Sequence, residues 1–136
     1  APVYVAETLE KAMSESRSAI EALFNDYLTL PMEMLLPPGY TSVESLKKII
    51  ATKKAIGRAG FGGPNQRQSL ERLMELGTVL VGTPESILNQ VEQVKEKTNL
   101  GNFVSMLQFG TLNNELTQRN QAMFASEVMP KIQKMV

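Results

Sequence analysis

Apolar residues follow two different spacings at the beginning of the chain. A short β-type run at 3–6 gives way at Leu9 to apolar residues three or four positions apart, with charged residues between them. This spacing predicts an amphipathic helix of about five turns, which Pro31 ends. Segment 1–30 is therefore expected to form one strand followed by one helix.

The middle segment, 31–77, has a weaker pattern that glycine and proline interrupt. A second helix is expected from Thr41, where Thr41 and Glu44 form a capping box, to Gly57. A glycine-rich stretch follows, and after it comes a third, shorter helix that Gly77 closes. No strand is predicted in this segment.

The last segment, 78–136, returns to a regular alternation. A β-rich run at 78–81 leads into a helix that Thr83 caps and that begins at Pro84. A second β-rich run, at 103–109, is apolar on both faces.

A last helix is expected from about Asn113 onwards, because apolar residues again recur at helical spacing. Pro130 is expected to kink or end this helix, since proline lacks the backbone N–H that a helix interior needs.

The order of these elements predicts the fold class. Strand–helix–strand–helix with short turns is the βα pattern of an α/β fold, and strands that are apolar on both faces are typical of buried parallel sheets. The sequence predicts only three short strands against five helices, which is too few to cover the helices or to close a barrel. The chain is therefore expected to be a single segment, 1–136, of a larger α/β structure.

The charge balance argues against partners that are held by bulk electrostatics. Lys+Arg and Asp+Glu both number 14, so the net charge is zero, and neither a nucleic-acid partner nor a membrane partner is expected. No apolar run reaches the roughly 20 residues of a membrane helix, and no export leader opens the chain. A cytoplasmic location is the default expectation.

The sequence contains no His and no Cys. Disulfides, thiolate catalysis, the usual zinc sites, imidazole bases and Ser-His-Asp triads are therefore excluded within this chain. Acid–base catalysis within this chain would have to use carboxylates, Lys, Tyr or Arg. No such residue in this sequence has the profile of a general base. No catalytic residue and no metal ligand is predicted.

Four stretches of the sequence resemble one known family. Val79–Ile87, which reads VLVGTPESI, is similar to a turn of the bacterial luciferase-like, flavin-dependent monooxygenases, and Gly101–Val104 is similar to their following strand. Residues 107–130 resemble the final helix of that family and the turn before it. Val3–Thr8 resembles the strand that precedes its variable insertion. The match holds in order and spacing over 78–132, apart from Asn113, since the family commonly has Leu-Pro at this helix start.

The resemblance implies a (β/α)₈ barrel that uses reduced flavin, usually FMN, and O₂ to oxygenate a small organic substrate. The chain would supply roughly the last three βα units of that barrel, with 31–77 as the variable insertion and 78–136 as the last two units. Its main partner would be the amino-terminal part of its own barrel, which carries most of the flavin pocket. The family also implies a homo-oligomer, and some relatives use a deazaflavin instead of FMN.

Gly82, Thr83 and Gln108 are the candidate cofactor-binding residues, because they lie at strand ends, where barrel enzymes place their chemistry. Gly82 and Thr83 open a helix whose N-terminal amides can face a phosphate; the alternative is that Thr83 only caps the helix. Gln108 is expected at the end of a buried strand, where its amide needs a partner. That partner is either a flavin or substrate, or another group of the protein.

The glycine-rich stretch between the second and third helices is a candidate lid over a reduced flavin. The alternative is an exposed linker between two helices. It is not a dinucleotide fingerprint, because no strand precedes it. The lid residues are Gly57, Gly60, Phe61, Gly62 and Gly63.

Two functions from different classes remain open. In the first, the chain completes the barrel and carries the lid of a flavin-dependent monooxygenase; alone it is inactive and need not bind flavin. In the second, it is a non-enzymatic, α-rich interaction module that binds a partner through methionine-rich grooves. Stoichiometric flavin binding discriminates between them.

Overall fold

The computed structural model describes residues 1–28, 39, 42–55, 67–98 and 101–135. Helices dominate this part of the chain, and two short strands lie at its centre. In chain order the elements are β1 (Val3–Val5), α1 (Leu9–Ala22) with a π-helical turn (Leu23–Tyr27), α2 (Val43–Ala55), α3 (Leu70–Glu75), β2 (Leu80–Gly82), α4 (Pro84–Thr98), α5 (Asn114–Met123) with a second π-helical turn (Phe124–Val128), and α6 (Met129–Met135).

The two strands form a parallel pair, with Val3 opposite Leu80 and Val5 opposite Gly82. All the residues of both strands are buried. Strands buried on both faces belong to sheets that carry helices on both sides, so the predicted α/β class is confirmed.

Side chains on the two faces of the sheet pack into separate apolar clusters. Tyr4 and Val81 point to the face covered by α1 and α3, whereas Val3 and Leu80 point to the face covered by α4 and the last helix. Burial of a side chain of this size contributes about 1.5–3 kcal/mol. The fully enclosed members of the two clusters include Tyr4, Ala6, Ala12, Ile20, Leu70, Val79, Val81, Ile87 and Val128.

The prediction of a third strand at 103–109 is wrong for the described residues. This segment makes only an isolated parallel bridge, between Pro2 and Met106, beside the two-stranded sheet. Its alternate side chains face solvent, with Val104 80% and Met106 48% exposed. A run that is apolar on both faces needs cover on both faces, and the described part of the chain covers only one.

The bridge at Met106 places the third segment beside β1 and not beside β2. Met106 accepts a hydrogen bond from Val3 N (3.0 Å) and donates to Ala1 O (2.9 Å). The spatial order is therefore 103–109, β1, β2, whereas in a barrel built from successive βα units the third strand would lie beside β2.

Hydroxyl groups cap the helices, as the sequence pattern indicates. Thr8 Oγ1 accepts from Lys11 N at 3.2 Å and caps α1, which confirms that cap. For α2 the capping hydroxyl belongs to Ser42, which accepts from Ser45 N at 3.2 Å, whereas the predicted Thr41 lies outside the described residues. In the described ranges, no helix is both long and apolar enough to cross a membrane.

Of the two outcomes expected at Pro130, a kink or an end to the last helix, the end is wrong. The helix continues to Met135, and the π-helical turn Phe124–Val128 comes directly before Met129 and Pro130. In this turn Met129 N bonds Phe124 O, so the hydrogen bonds shift by one residue ahead of the proline. The wider turn accommodates a residue that has no N–H to donate.

Candidate functional site

The carboxyl ends of the strands are the place to look for a site, because parallel sheets bind ligands at that edge. Thr8 follows β1, Thr83 follows β2, and Gln108 follows the bridge at Met106. The hydrogen bonds of these residues and of their neighbours show whether each side chain could contact a ligand or is already bonded within the protein.

Thr83 is fully used as the N-cap of α4. Its Oγ1 accepts from Ser86 N at 3.3 Å, and its carbonyl accepts from Ile87 N at 2.9 Å. Gly82 lies so close to the helix that a Cβ there would come within 2.8 Å of Ser86 Oγ, which itself accepts from Gln90 Nε2 at 3.0 Å. The glycine is therefore explained by its close approach to α4.

The contacts at this turn account for Gly82 and Thr83 without a flavin, and their role in binding a flavin phosphate stays a prediction. The space beside Gly82 is filled by Ser86, and the Ser86 amide is already bonded to Thr83. Pro84 has no N–H, and Glu85 places a carboxylate in the first turn, where an anion would have to approach. The observed bonds support the capping role of Thr83.

Gln108 is exposed, not buried as expected, because the segment that carries it is not an interior strand. Its neighbour Phe109 is the buried residue at this position, and its ring meets that of Tyr4 edge-on with centroids 6.5 Å apart. The chain then turns at Gly110, which has a φ of +52°. A Cβ at Gly110 would lie 2.4 Å from Ala19 O, so this turn packs directly onto α1.

The predicted lid lies outside the described residues. Gly57, Gly60, Phe61, Gly62 and Gly63 all belong to the undescribed range 56–66. The lid therefore stays a prediction.

A cluster of three ionisable side chains that the sequence did not single out as a site joins β1, α1 and α5. Tyr4 Oη donates to Glu15 Oε2 at 2.9 Å, and Arg119 pairs with the same carboxylate. Tyr4 is fully buried, whereas the side chains of Glu15 and Arg119 are 19% and 34% exposed. The cluster therefore lies at the boundary between core and solvent.

The electrostatics of this cluster fix its protonation state. Burial, together with the hydrogen bond to Glu15, raises the pKa of Tyr4 to about 12. Burial acts to raise the pKa of Glu15, but the hydrogen bonds from Arg119 and Tyr4 together outweigh it and lower that pKa. The hydrogen bond to Glu15 also raises the pKa of Arg119 above its usual range. Near neutral pH the cluster thus contains a neutral phenol and an ion pair.

Asn120, next to Arg119 on α5, is a fully buried polar residue. Its Nδ2 donates to Val3 O at 2.8 Å and to Leu107 O at 2.9 Å, while its Oδ1 accepts from Val5 N at 2.9 Å. The side chain therefore joins β1 to the third segment beyond the bridge at Met106. A buried amide with three such bonds is satisfied and holds its neighbours in place.

One signal in the sequence points to Asn120. The apolar stripe of the last helix includes Leu116, Met123 and Phe124, and Asn120 lies among them at helical spacing. A polar residue at a core position requires internal partners. Nothing local indicates that Tyr4, Glu15 and Arg119 meet, because they lie on three separate elements.

The described residues include neither a group of side chains placed to hold a metal ion nor a side chain suited to act as a general base. In these ranges, no group of three or more His, Cys, Asp or Glu side chains is placed to hold a metal ion. Tyr4 is buried and protonated, and Glu15 is committed to an ion pair, so neither has the profile of a general base. Comparisons with models of known families, with curated proteins and with solved structures find no match to this chain.

Proposed function

We propose that this chain is the carboxyl-terminal part of a luciferase-like, flavin-dependent monooxygenase of the (β/α)₈ barrel type. The parent enzyme would use reduced FMN and O₂ to oxygenate a small organic substrate, in the cytoplasm. The proposal starts from the resemblance of 78–132 to that family. This chain would complete the barrel and would be inactive alone.

The observation that carries the proposal is the incomplete sheet. Two strands buried on both faces lie at the centre of the described residues, as interior strands do, yet within these residues only one further segment pairs with them by backbone hydrogen bonds. That segment exposes Val104 and Met106, which an enclosed parallel strand would bury. More strands would be needed to cover these side chains.

The flavin pocket, in this proposal, lies mainly on strands that precede this chain. Gly82 and Thr83 have a structural role at the start of α4, and Gln108 is exposed, so the proposal assigns no flavin contact to them. The contribution of this chain would be to close the barrel. The Tyr4–Glu15–Arg119 cluster would hold α5 against α1.

The barrel requires a strand order that differs from the one in the described residues. In the parent enzyme, segment 103–109 would lie beside β2, whereas the described chain holds it beside β1. The proposal therefore requires this segment to change neighbours when the upstream strands are present. It also requires the helices on one face of the sheet to leave that face, because a barrel carries its helices on the outside only.

The exposed Val104 and Met106 also favour the second candidate, a non-enzymatic module that binds a partner through an apolar surface. The two candidates differ in what the gene encodes and in flavin binding. The module would be complete without upstream strands and would bind no flavin.

The test is a flavin titration of two proteins, the chain 1–136 and the complete product of the gene that encodes it. We expect a complete product of more than about 250 residues that binds one FMN per chain, and a chain 1–136 that binds none. The Thr83→Ala variant of the complete product should bind FMN as tightly as the unaltered protein. A complete product that binds no flavin would contradict the proposal and favour the interaction module.

A further inference from the structure

Residues 67–75 form a strap on α1, a short extended stretch followed by α3. The Asn25 amide bonds both backbone groups of Gln68: Nδ2 donates to Gln68 O at 3.0 Å, and Oδ1 accepts from Gln68 N at 2.7 Å. Glu21 Oε1 accepts from Leu70 N at 3.0 Å. Side chains of α1 and of its π-helical turn thus bond the backbone of the strap where α3 begins.

Two ion pairs join the strap to the same part of the molecule. Arg17 pairs with Glu71, and Asp26 pairs with Arg67 at 3.2 Å. All four side chains are between 41% and 73% exposed, so each pair contributes at most about 1 kcal/mol. The ion pairs therefore add less than the bonds to Gln68 and Leu70, which are partly buried.

The apolar contacts of the strap come mainly from Leu70 and Leu73, which are 0% and 3% exposed. Both belong to the cluster that includes Ile20 of α1 and Phe24 of its π-helical turn. α3 has only six residues, and helices shorter than about 12 residues are marginal in water. The helix therefore depends on α1 for its stability.

The sheet does not need the strap for its backbone pairing. β1 and β2 bond each other in register, and the contacts of α4 and the last helix lie on the opposite face of the sheet. The strap joins β2 through Gly77, which has a φ of +66° and open space around it. Segments with few buried side chains and with backbone bonds near solvent open at a lower free energy than the core.

We propose that the strap opens from α1 as a unit while the sheet and the helices of the opposite face stay folded, and that the Asn25 amide sets the free energy of this opening. Gly77 absorbs the change in backbone direction. Opening uncovers the apolar surface of Ile20 and Phe24 that Leu70 and Leu73 cover in the closed state.

The test is amide hydrogen exchange in the chain 1–136, at a pH where exchange follows the opening equilibrium. Leu73 N, which bonds Ser69 O at 3.1 Å, reports on the strap. Ala6 N, which bonds Gly82 O at 3.1 Å, reports on the sheet. In the unaltered chain the protection factor of Leu73 should be at least about tenfold below that of Ala6.

Two variants separate opening of the strap from global unfolding. Asn25→Leu removes bonds that break in both processes, so it should lower the Leu73 protection factor about tenfold. Ile132→Val weakens the cluster on the opposite face, which stays folded when the strap opens. It should lower the protection factor of Ala6 roughly three- to tenfold and leave that of Leu73 unchanged. Asn89→Leu, at an exposed position of α4, is the matched control and should change neither.

Equal falls at Leu73 and Ala6 in Ile132→Val would overturn the inference, because the strap would then open only with the whole fold. An unchanged Leu73 in Asn25→Leu would overturn the role of the amide. If Asn25→Leu prevents folding, Asn25→Ala takes its place with the same expected fall. The readout involves no flavin, so it stands or fails separately from the proposed function.

Discussion

The β2–α4 connection and the segment that leads into α5 are both turns from a β-rich run into a helix, but they are held in different ways. At the first, Thr83 bonds Ser86 and Ile87, which are its near neighbours in sequence. At the second, Asn113 caps α5 locally by accepting from Leu116 N at 2.9 Å, but Asn120 also bonds Val5, which is 115 positions away. The first turn is a local structure, and the second depends on the assembled sheet.

This difference separates what the chain fixes by itself from what its surroundings decide. The cap of a helix that follows a short strand lies in consecutive residues, so the cap itself does not depend on distant segments. The position of 103–109 depends on which strand edge is available to it. The second region is therefore where mutations should have the larger effects and where the isolated chain and the parent protein should differ.

The largest effect is expected at the turn that packs onto α1. Gly110→Ala places a Cβ 2.4 Å from Ala19 O and forces alanine to a φ of +52°, so we expect a loss of about 3 kcal/mol in unfolding free energy. Gly77→Ala is the matched control, since Gly77 has a φ of +66° but open space around it, and it should lose about 1 kcal/mol. Urea unfolding measures both; equal losses would show that Gly110 does not contact α1.

A second prediction concerns pH and the Glu15 carboxylate. The folded-state pKa of Glu15 is lowered from 4.5, so its pairing with Arg119 stabilises the fold above that value and is lost as the pH falls through the folded-state pKa. Glu15→Gln should therefore cost about 2 kcal/mol at pH 7, and the cost should shrink below pH 4.5.

Urea unfolding of Glu15→Gln at several pH values measures this dependence. Glu10→Gln, at an exposed position of the same helix, is the control and should change stability little at any pH. A cost for Glu15→Gln that stays constant down to pH 3 would contradict the ion pair.

A smaller effect is expected for the buried phenol. Tyr4→Phe keeps the ring against Phe109 but removes the hydrogen bond to Glu15, which Arg119 continues to hold. We expect a loss of about 1 kcal/mol, and Tyr27→Phe, at a side chain that is 61% exposed, should cost nothing measurable. The comparison is made by thermal or urea unfolding. A neutral Tyr4→Phe would show that its hydroxyl contributes no net stability.

The smallest effect is expected at the β2–α4 turn. Thr83→Ala removes the N-cap hydroxyl and should cost about 0.5–1 kcal/mol, while Thr83→Ser, which keeps the hydroxyl, should cost little. Unfolding of the two variants checks this. A much larger loss for Thr83→Ala would indicate a role beyond capping.

The parts of the fold that the sequence predicted well are the local ones. The caps at Thr8 and Thr83, the βα turn and the α/β class all depend on neighbouring residues or on simple apolar periodicity. The prediction of a strand at 103–109 was wrong. Apolar residues on both faces indicate that a strand must be covered on both faces, but they do not show that the described residues supply that cover. Pro130 does not end the last helix because a π-helical turn precedes it, and the sequence pattern did not predict that turn.

The candidate site was harder to predict for the same physical reason. Glycine and threonine at a strand end predict either a phosphate site or a cap, and only the position of Ser86 decides for the cap. Tyr4, Glu15 and Arg119 meet through tertiary packing, which spacing along the chain does not encode. The structural role of Asn120 could have been predicted, because it is a polar residue on the apolar stripe of its helix.

The most direct measurement is the strand order in the complete gene product. The chain has no native cysteine, so a cysteine pair reports on one contact at a time. Pro2→Cys with Met106→Cys places thiols on bridged positions, whereas Val81→Cys with Met106→Cys places them two strands apart and two residues out of register, at about 12 Å. Intact mass after mild oxidation detects each disulfide.

In the chain 1–136, the first pair should oxidise and the second should not. In the complete product the barrel predicts that the Pro2→Cys and Met106→Cys pair does not oxidise, because segment 103–109 then lies beside β2 and not beside β1. Oxidation of the Pro2→Cys and Met106→Cys pair in the complete product would contradict the barrel.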